Sequence, residues 1–530
     1  MTQASSQPNI LFLLTDDQAY WTTGYNGHPL ACTPEMDRLA ADGLVLDRHY
    51  DTTPICMASR ANIATGLYEY RTGCNFEHGQ MTSDIFSRSY HVLLREAGYF
   101  TGFIGKFGFG VGDSTWPKVP HYYGDESLLP NDQFDWWRGQ TGQASYVTAQ
   151  NPNMAYLADE FPHLTRANAH VAGEFLSRAE ESGKPFCLSI SFKAPHGPMT
   201  PDPVFNDLHA GDAFPRPENY GEQGAAHLAP HIRTGRQWEQ FEQSYGPERF
   251  ADTYRKYFRL IHGVDVGIGM IRRELKARGL ADNTVIVFTS DNGFFCGSHR
   301  LTGKSLTYEE STRVPMVIYD PRHPVSGKGL RCRQLSANID IAPTLLDFAG
   351  ASAPDGLDGV SLRPLLDRPE ESVRESVSLL NCWNVAPTQG LTVTDGRLKY
   401  VHYWYQGEGM VPTEELFDLI GDPQEMRNLV DSPDGVADLA RMRDLYDSAV
   451  AHIRDHAVQT NRYEDYGILF DRNIPWTDKA DLYTRFFDRW VRYCHSWRGG
   501  PWFEAHDLSP YPEDSLLNYG KFPRNTKARG

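Results

Sequence analysis

The stretch YRKYFRLIHGVDVGIGMIRRELKARGL, Tyr254 to Leu280, is followed two residues later by NTVIVFTSDNG, Asn283 to Gly293. In the first, apolar side chains recur at helical spacing. In the second, an apolar run too short for a helix ends in the turn formers Ser-Asp-Asn-Gly. A helix feeding a strand that is apolar on both faces is the repeating unit of a parallel α/β sheet.

Working outward, the same unit recurs. NILFLLTDD, Asn9 to Asp17, reads as a buried strand, and TPEMDRLAADG reads as a helix closed by Gly43. SYHVLLREAGY leads into the strand FTGFIGK, and HLTRANAHVAGEFLSRAEESGK precedes PFCLSISFKAP. The expected fold is a large, mostly parallel sheet sandwiched by helices. After Leu366 the pattern changes: SVSLLNCWN, QGLTVTDGRLKYVHYWY and EELFDLIGDP alternate at period two, and a helical run follows, GVADLARMRDLYDSAVAHIRDHA. A smaller antiparallel sheet with one helix is expected there. These readings divide the chain into residues 1–370, residues 371–457 and an aromatic-rich extension, 458–530, that wraps the body or serves a homo-oligomer contact.

Composition bounds the partners. A net charge of −17 disfavours nucleic acid and anionic membrane surfaces, so an anionic ligand needs a locally basic pocket. The eight cysteines are scattered without a CxxC pair, which argues against a zinc cluster or a disulfide scaffold. The amino-terminal apolar run follows no basic segment and ends in acids, so it reads as a strand rather than a signal peptide. The expectation is a cytoplasmic protein on the sequence as it stands, periplasmic or secreted if a leader has been removed.

The residues with chemical potential follow the carboxyl ends of the expected strands: Asp16 and Asp17, Lys106, His196, Asp291 and Asn292. That edge is where open α/β sheets bind ligands. Adjacent aspartates need a cation, a shared proton or solvent. Alone, Asp17 is an ordinary turn cap and Asn-Gly an ordinary turn; together, the four oxygen-bearing side chains suit a hard divalent ion such as Ca²⁺ or Mg²⁺. PICMASRANIATGL, Pro54 to Leu67, adds a cysteine, Cys56, ahead of Arg60 in a helical run ending at glycine. By itself that thiol is filler, half of a disulfide, a metal ligand, a nucleophile or a site of modification.

The ordered set PNILFLLTDDQ, CMASRANIATGL, GYFTGFIGKFG, FKAPHGP, TVIVFTSDNGFFCGSHRLTGK, STRVPMVIYDP, NIDIAPTLLDFAG, DGVSLRPLL and ELFDLIGDPQEMRNLV resembles the formylglycine-dependent sulfatases of the alkaline phosphatase superfamily, over about Pro8 to Leu429. The resemblance implies that a maturation enzyme converts Cys56 to Cα-formylglycine. The hydrated aldehyde attacks the sulfur of a sulfate ester, and its second hydroxyl lets the adduct collapse to sulfate and aldehyde. It further implies Asp16, Asp17, Asp291 and Asn292 as metal ligands and Arg60 as the group orienting the hydrate. Lys106, His196 and Lys304 then surround the sulfate, with His196 serving the leaving alcohol.

Two departures stand out. GKFGFG carries Gly108 where many family members have a histidine, so His299 of GSHRLTGK is a candidate to replace it and to shape the substrate pocket, and Gly108 and Gly110 are expected to leave room there. Ala58 stands where the oxygen-dependent maturation enzyme prefers proline, a pattern more familiar from substrates of the radical-type maturase. The expected activity is hydrolysis of a sulfate monoester. A sulfated saccharide is favoured because DQFDWWRG, CWN and VHYWYQGEGM offer aromatic faces, which serve equally as core. The alternatives are a phosphate or phosphonate ester hydrolase of the same superfamily and a catalytically impaired binding protein.

Overall fold

The structure, a computed structural model, describes residues 7–113 and 125–483. Strands β1 (Asn9–Asp16), β2 (Leu44–Tyr50), β3 (Phe100–Lys106), β4 (Trp136–Gln140), β5 (Phe186–Pro195) and β6 (Thr284–Ser290) belong to one sheet. The short pair β7 (Phe295–Cys296) and β8 (Thr302–Gly303) forms a separate ribbon, and β9 (Met316–Tyr319) and β10 (Leu330–Ala337) complete the main sheet. Its order is β10-β2-β9-β6-β1-β5-β3-β4, eight strands, with β9 antiparallel to both neighbours and every other pairing parallel.

Both faces are covered, as the doubly apolar strands require. Along β1, Leu11 and Leu13 join one core with helices α1 (Pro34–Asp42), α4 (Leu164–Ser182) and α5 (Phe250–Ala277). Ile10, Phe12 and Leu14 join the opposite core with α3 (Tyr90–Glu96) and α6 (Ile341–Ala349). Helix α2 (Cys56–Thr65) is buried at all ten positions and closes at Gly66, whose φ of 72° is the left-handed cap that a glycine takes without strain.

The second sheet has the order β11 (Val377–Asn381), β12 (Gly390–Thr394), β13 (Leu398–Tyr403) and β14 (Thr413–Asp418), all antiparallel, backed by α7 (Val436–His456). Tyr463, Tyr466, Leu469 and Phe470 of the aromatic extension share its core. Tyr463 also donates to Glu69 Oε1 at 2.7 Å, tying the extension to the first part of the chain. The remainder of the extension, 484–530, and residues 114–124 lie outside the described residues. No helix among the described residues is long and apolar enough to cross a membrane, and Cys32, Cys56, Cys74, Cys187, Cys296 and Cys332 stand outside any disulfide.

Candidate active site

Strand alternation would send Asp16 and Asp17 to opposite faces. The register of β1 against β5 shifts between Leu14 and Asp16, and Asp17 takes a φ of 70°, so both carboxylates turn to the same side. That left-handed conformation disfavours a non-glycine residue and is held by the surrounding structure. Tyr257 of α5 donates to the Asp17 carbonyl at 2.6 Å and accepts from Ala19 N at 3.0 Å. The helix that announces the fold therefore also clamps the turn that carries the acids.

Asp291 and Asn292 follow β6, the neighbour of β1, and Asp291 Oδ1 accepts from the Asp17 amide at 3.1 Å. Cys56 opens α2 beside them, its Sγ 3.3 Å from Asp16 Oδ1. Asp16, Asp17, Cys56 and His196 each bring a ligand atom within 4.8 Å of the others. Asn292 Oδ1 is buried without a hydrogen-bond partner. An orphaned amide oxygen among three buried carboxylates fits a hard, oxygen-seeking cation and little else.

The basic residues interleave with the acids. Lys106 Nζ is 2.5 Å from Asp16 Oδ2, and Lys304 Nζ pairs with Asp17 and reaches Cys56 Sγ at 2.6 Å. Arg60, 3 % exposed, donates to Asp291 Oδ2 at 2.8 Å, to the Lys106 carbonyl at 2.7 Å and to Ser191 Oγ. Burial pushes the Asp16 carboxyl up, but Lys106, His196, Arg60 and Lys304 together pull it well below the usual range. Burial and the neighbouring Asp16 charge push Asp291 up to about 6 and the Cys56 thiol up to about 12. An unmodified Cys56 is therefore held as the thiol, a poor nucleophile. His196 follows the end of β5; its Nδ1 donates to the Gly197 carbonyl at 2.6 Å, which leaves Nε2 as the free nitrogen, 3.7 Å from Asp17 Oδ2. Burial drives its pKa down to about 3 against the pull of Asp17 and Asp16.

The structure thus brings together Asp16, Asp17, Cys56, Arg60, Lys106, His196, Asp291, Asn292 and Lys304. It does not bring in His299. That ring is fully buried, with Nδ1 donating to the Gly224 carbonyl at 2.7 Å and Nε2 at 3.1 Å from Asn219 Nδ2, in a cluster with Glu310 and Glu425. Its place in the motif suggested the pocket, but the backbone at His299 and Arg300 runs at φ 54° and 56° and turns the ring away. The expected space at Gly108 is also not there: at φ 89°, an added Cβ would overlap Arg60 Cδ, so the arginine fills it. Of the quoted aromatics, Trp137 is partly buried and stacks on Phe103 at the edge of a core, and Trp404 is buried in the core against Trp476. Trp383 lines the cavity.

The cavity has a volume of about 460 Å³ and is walled by Asp17, Cys56, His196 and Lys304 at its buried end. Three residues around the charge cluster were not anticipated, and Gln143 among them lines the cavity. Gln143 accepts from Lys106 Nζ at 2.6 Å, and it lies in a loop with no periodicity to betray it. Ser191 holds Arg60. Lys193, 4 % exposed, lies over the Tyr146 ring at 5.1 Å, and burial together with Lys106 brings its pKa down to about 8. Both of these stand within the strand that leads to His196, where alternation from Ile190 was a usable signal.

The family model described as Sulfatase matches residues 8–351, and that for the C-terminal part of N-sulphoglucosamine sulphohydrolase matches residues 297–450. An N-acetylglucosamine-6-O-sulfatase of Bacteroides thetaiotaomicron is 27% identical over 497 residues, covering 81% of this chain and 83% of that one. A solved structure in complex with its substrate D-glucosamine-2-N,6-O-disulfate superposes with a TM-score of 0.69 at 24% identity, over 86% of this chain and 100% of that one. The phosphonate monoester hydrolase of Agrobacterium radiobacter gives the same TM-score at 24% identity, over 85% and 96%.

Proposed function

The chain belongs to the sulfatase family of sulfuric ester hydrolases, and from that premise we propose that it removes a sulfate monoester from a carbohydrate, using a formylglycine made from Cys56. The observation that carries the reading is the single buried cluster in which three carboxylates interleave with Arg60, Lys106 and Lys304 around Cys56. Those charges nearly balance, so a divalent cation leaves the cluster net positive and suited to an anionic ester. We assign Asp16, Asp17, Asp291 and Asn292 to that cation, Ca²⁺ by preference and Mg²⁺ as the alternative; when bound it supplies Lewis-acid activation of the oxygen on residue 56.

The remaining roles follow from position. Arg60 is pinned by Asp291, the Lys106 carbonyl and Ser191, so it orients the group on residue 56 rather than following the substrate. Lys106 and Lys304 place two ammonium groups where sulfate oxygens gain charge. His196 Nε2 faces the cavity with its Nδ1 proton already committed, so in the neutral form it accepts a hydrogen bond. It serves the leaving alcohol once the anionic substrate and Asp17 favour its protonation. Overall the ester S–O bond is exchanged for a water oxygen, giving the alcohol and inorganic sulfate. We also propose the division at residues 370 and 457, with the antiparallel subdomain lending Trp383 to the cavity.

The test is mass spectrometry of the peptide His49 to Arg60 from protein made with and without a radical-type maturase, alongside sulfate release from sulfated sugars and phosphate release from matched phosphate esters. An aldehyde at position 56 that tracks with sulfate release is the expected result. Preferential turnover of phosphate or phosphonate esters would overturn it.

A further inference from the structure

The cluster that holds His299 is separate from the charges around Cys56, and it gathers three segments. His299 lies in the turn between β7 and β8, Glu310 in the short helix Glu309–Thr312, and Glu425 in the loop after β14. Their exposures are 0, 8 and 0 %, and one ligand atom from each lies within 4.8 Å of the other two. Lys304, which faces the cavity, sits between His299 and Glu310 in the chain.

The hydrogen bonds of this cluster do not close. The Nδ1 proton of His299 goes to the Gly224 carbonyl at 2.7 Å, which makes Nε2 an acceptor. The donor beside it is the Asn219 amide, and three acceptors compete for its two hydrogens: Glu310 Oε1 at 2.7 Å, His299 Nε2 at 3.1 Å and the Gln424 carbonyl at 3.3 Å. Glu310 Oε2 is buried with no hydrogen-bond partner and faces His299 Nε2 at 3.7 Å. That gap is too wide for an N–H···O bond, which ends at about 3.2 Å. Two ligands held by one tetrahedral Zn²⁺ lie about 3.4 Å apart, so the pair is spaced for a shared ion.

Glu425 is fixed beside them. Its Oε2 accepts from the Glu309 amide at 2.7 Å, and its Oε1 pairs with Lys399 at 2.9 Å, which leaves each oxygen a lone pair to give. Lys399 is also 2.7 Å from Glu309, so a single ammonium answers two carboxylates and none of its charge is aimed at Glu310. The His227 ring lies 5.9 Å from that of His299, and its Nε2 is buried without a partner.

We propose that His299, Glu310 and Glu425 bind a second divalent cation, a borderline first-row ion of the Zn²⁺ class, that staples the loop after β14 to the segment carrying Lys304. This goes beyond the hydrolysis assigned to the Cys56 cluster. The donor sets sort the ions: the oxygen ligands at Asp16, Asp17, Asp291 and Asn292 suit a hard cation, whereas an imidazole with carboxylates suits a softer one. An imidazole whose other N–H is committed to a backbone carbonyl is also the usual posture of a metal-bound histidine.

The experiment uses the matured full-length enzyme, free of any affinity tag and saturated with Ca²⁺ so that the Cys56 cluster is filled. It is titrated with Zn²⁺, and separately with Co²⁺, reading the metal retained after gel filtration, the visible spectrum and the thermal midpoint. One retained equivalent of Zn²⁺, a raised midpoint and visible Co²⁺ bands are expected. Glu310→Gln and Glu425→Gln should each weaken Zn²⁺ binding at least about tenfold, while Asp17→Asn, which damages the Cys56 cluster, should leave it at the parent level. A Ca²⁺-saturated parent that retains no Zn²⁺ and does not shift its midpoint overturns the site without recourse to any variant. Zn²⁺ lost in Asp17→Asn but kept in Glu310→Gln overturns it too, by assigning the ion to the Cys56 cluster. The sulfatase reading stands in either case.

Discussion

Replacing Gly108 by alanine isolates the relation between Arg60 and the strand end after Lys106. The backbone there has a φ of 89°, and an added Cβ would overlap Arg60 Cδ. An alanine in the left-handed region costs about 1–2 kcal/mol of stability. The arginine cannot step aside freely, because it holds Asp291, the Lys106 carbonyl and Ser191 at once with 3 % of its surface exposed. Losing one of those charge-assisted bonds costs about 1.5–3 kcal/mol, and where the misplacement falls on the reacting group it appears in the barrier. At about 1.4 kcal/mol per factor of ten, kcat/KM should fall roughly ten- to a hundredfold. Gly108→His, which restores the residue usual in the family, meets the same overlap and should be no better. The assay is kcat/KM on a sulfate ester beside a thermal melt. A Gly108→Ala enzyme within threefold of the parent and with an unchanged melting midpoint would refute the reasoning.

Other outcomes follow from the same geometry. His299→Ala leaves the Gly224 carbonyl without its donor, so it should cost roughly 1–3 kcal/mol of stability while the folded enzyme keeps kcat within a few-fold; a large loss of kcat with an unmoved melt would return His299 to the chemistry. Gln143→Ala removes an acceptor from Lys106 and should lower kcat/KM about tenfold, readable in the same assay. Glu69 is buried with its pKa pushed up to about 7, so the folded state resists its ionisation. The stability this group contributes is whole below its ordinary pKa of 4.5 and is lost as pH rises through 7. Glu69→Gln should therefore gain on the parent by up to about 3 kcal/mol between pH 4.5 and pH 8, measured by denaturant midpoints; an unvarying difference would count against it. Ca²⁺ at a hundred times its Kd should stabilise the protein by about 2.7 kcal/mol, and chelation should reverse that; Asn292→Ala should shrink the increment, and an undiminished increment would remove Asn292 from the ligands.

Much of this was legible along the chain. The doubly apolar strands demanded helices on both faces, and β1 shows why: Leu11 and Leu13 enter one core, Ile10, Phe12 and Leu14 the other. Strand ends likewise located Asp16, Lys106, His196 and Asp291, since a parallel sheet presents all its carboxyl ends along one edge. Those inferences rest on periodicity and local order, which a sequence carries directly. What the sequence left open depends on which distant segments meet. Gly108 reads as empty space until Arg60, arriving from another element, is seen to fill it. His299 reads as a pocket residue until the left-handed backbone of its own turn points the ring at Gly224. Trp383 and Trp404 have the same composition-level promise, yet one lines the cavity beside Arg236 and the other is buried under the extension. Burial is a property of packing between elements, and side chains of equal hydrophobicity are sorted into wall or core only when the two sheets and the segments between their strands close around them.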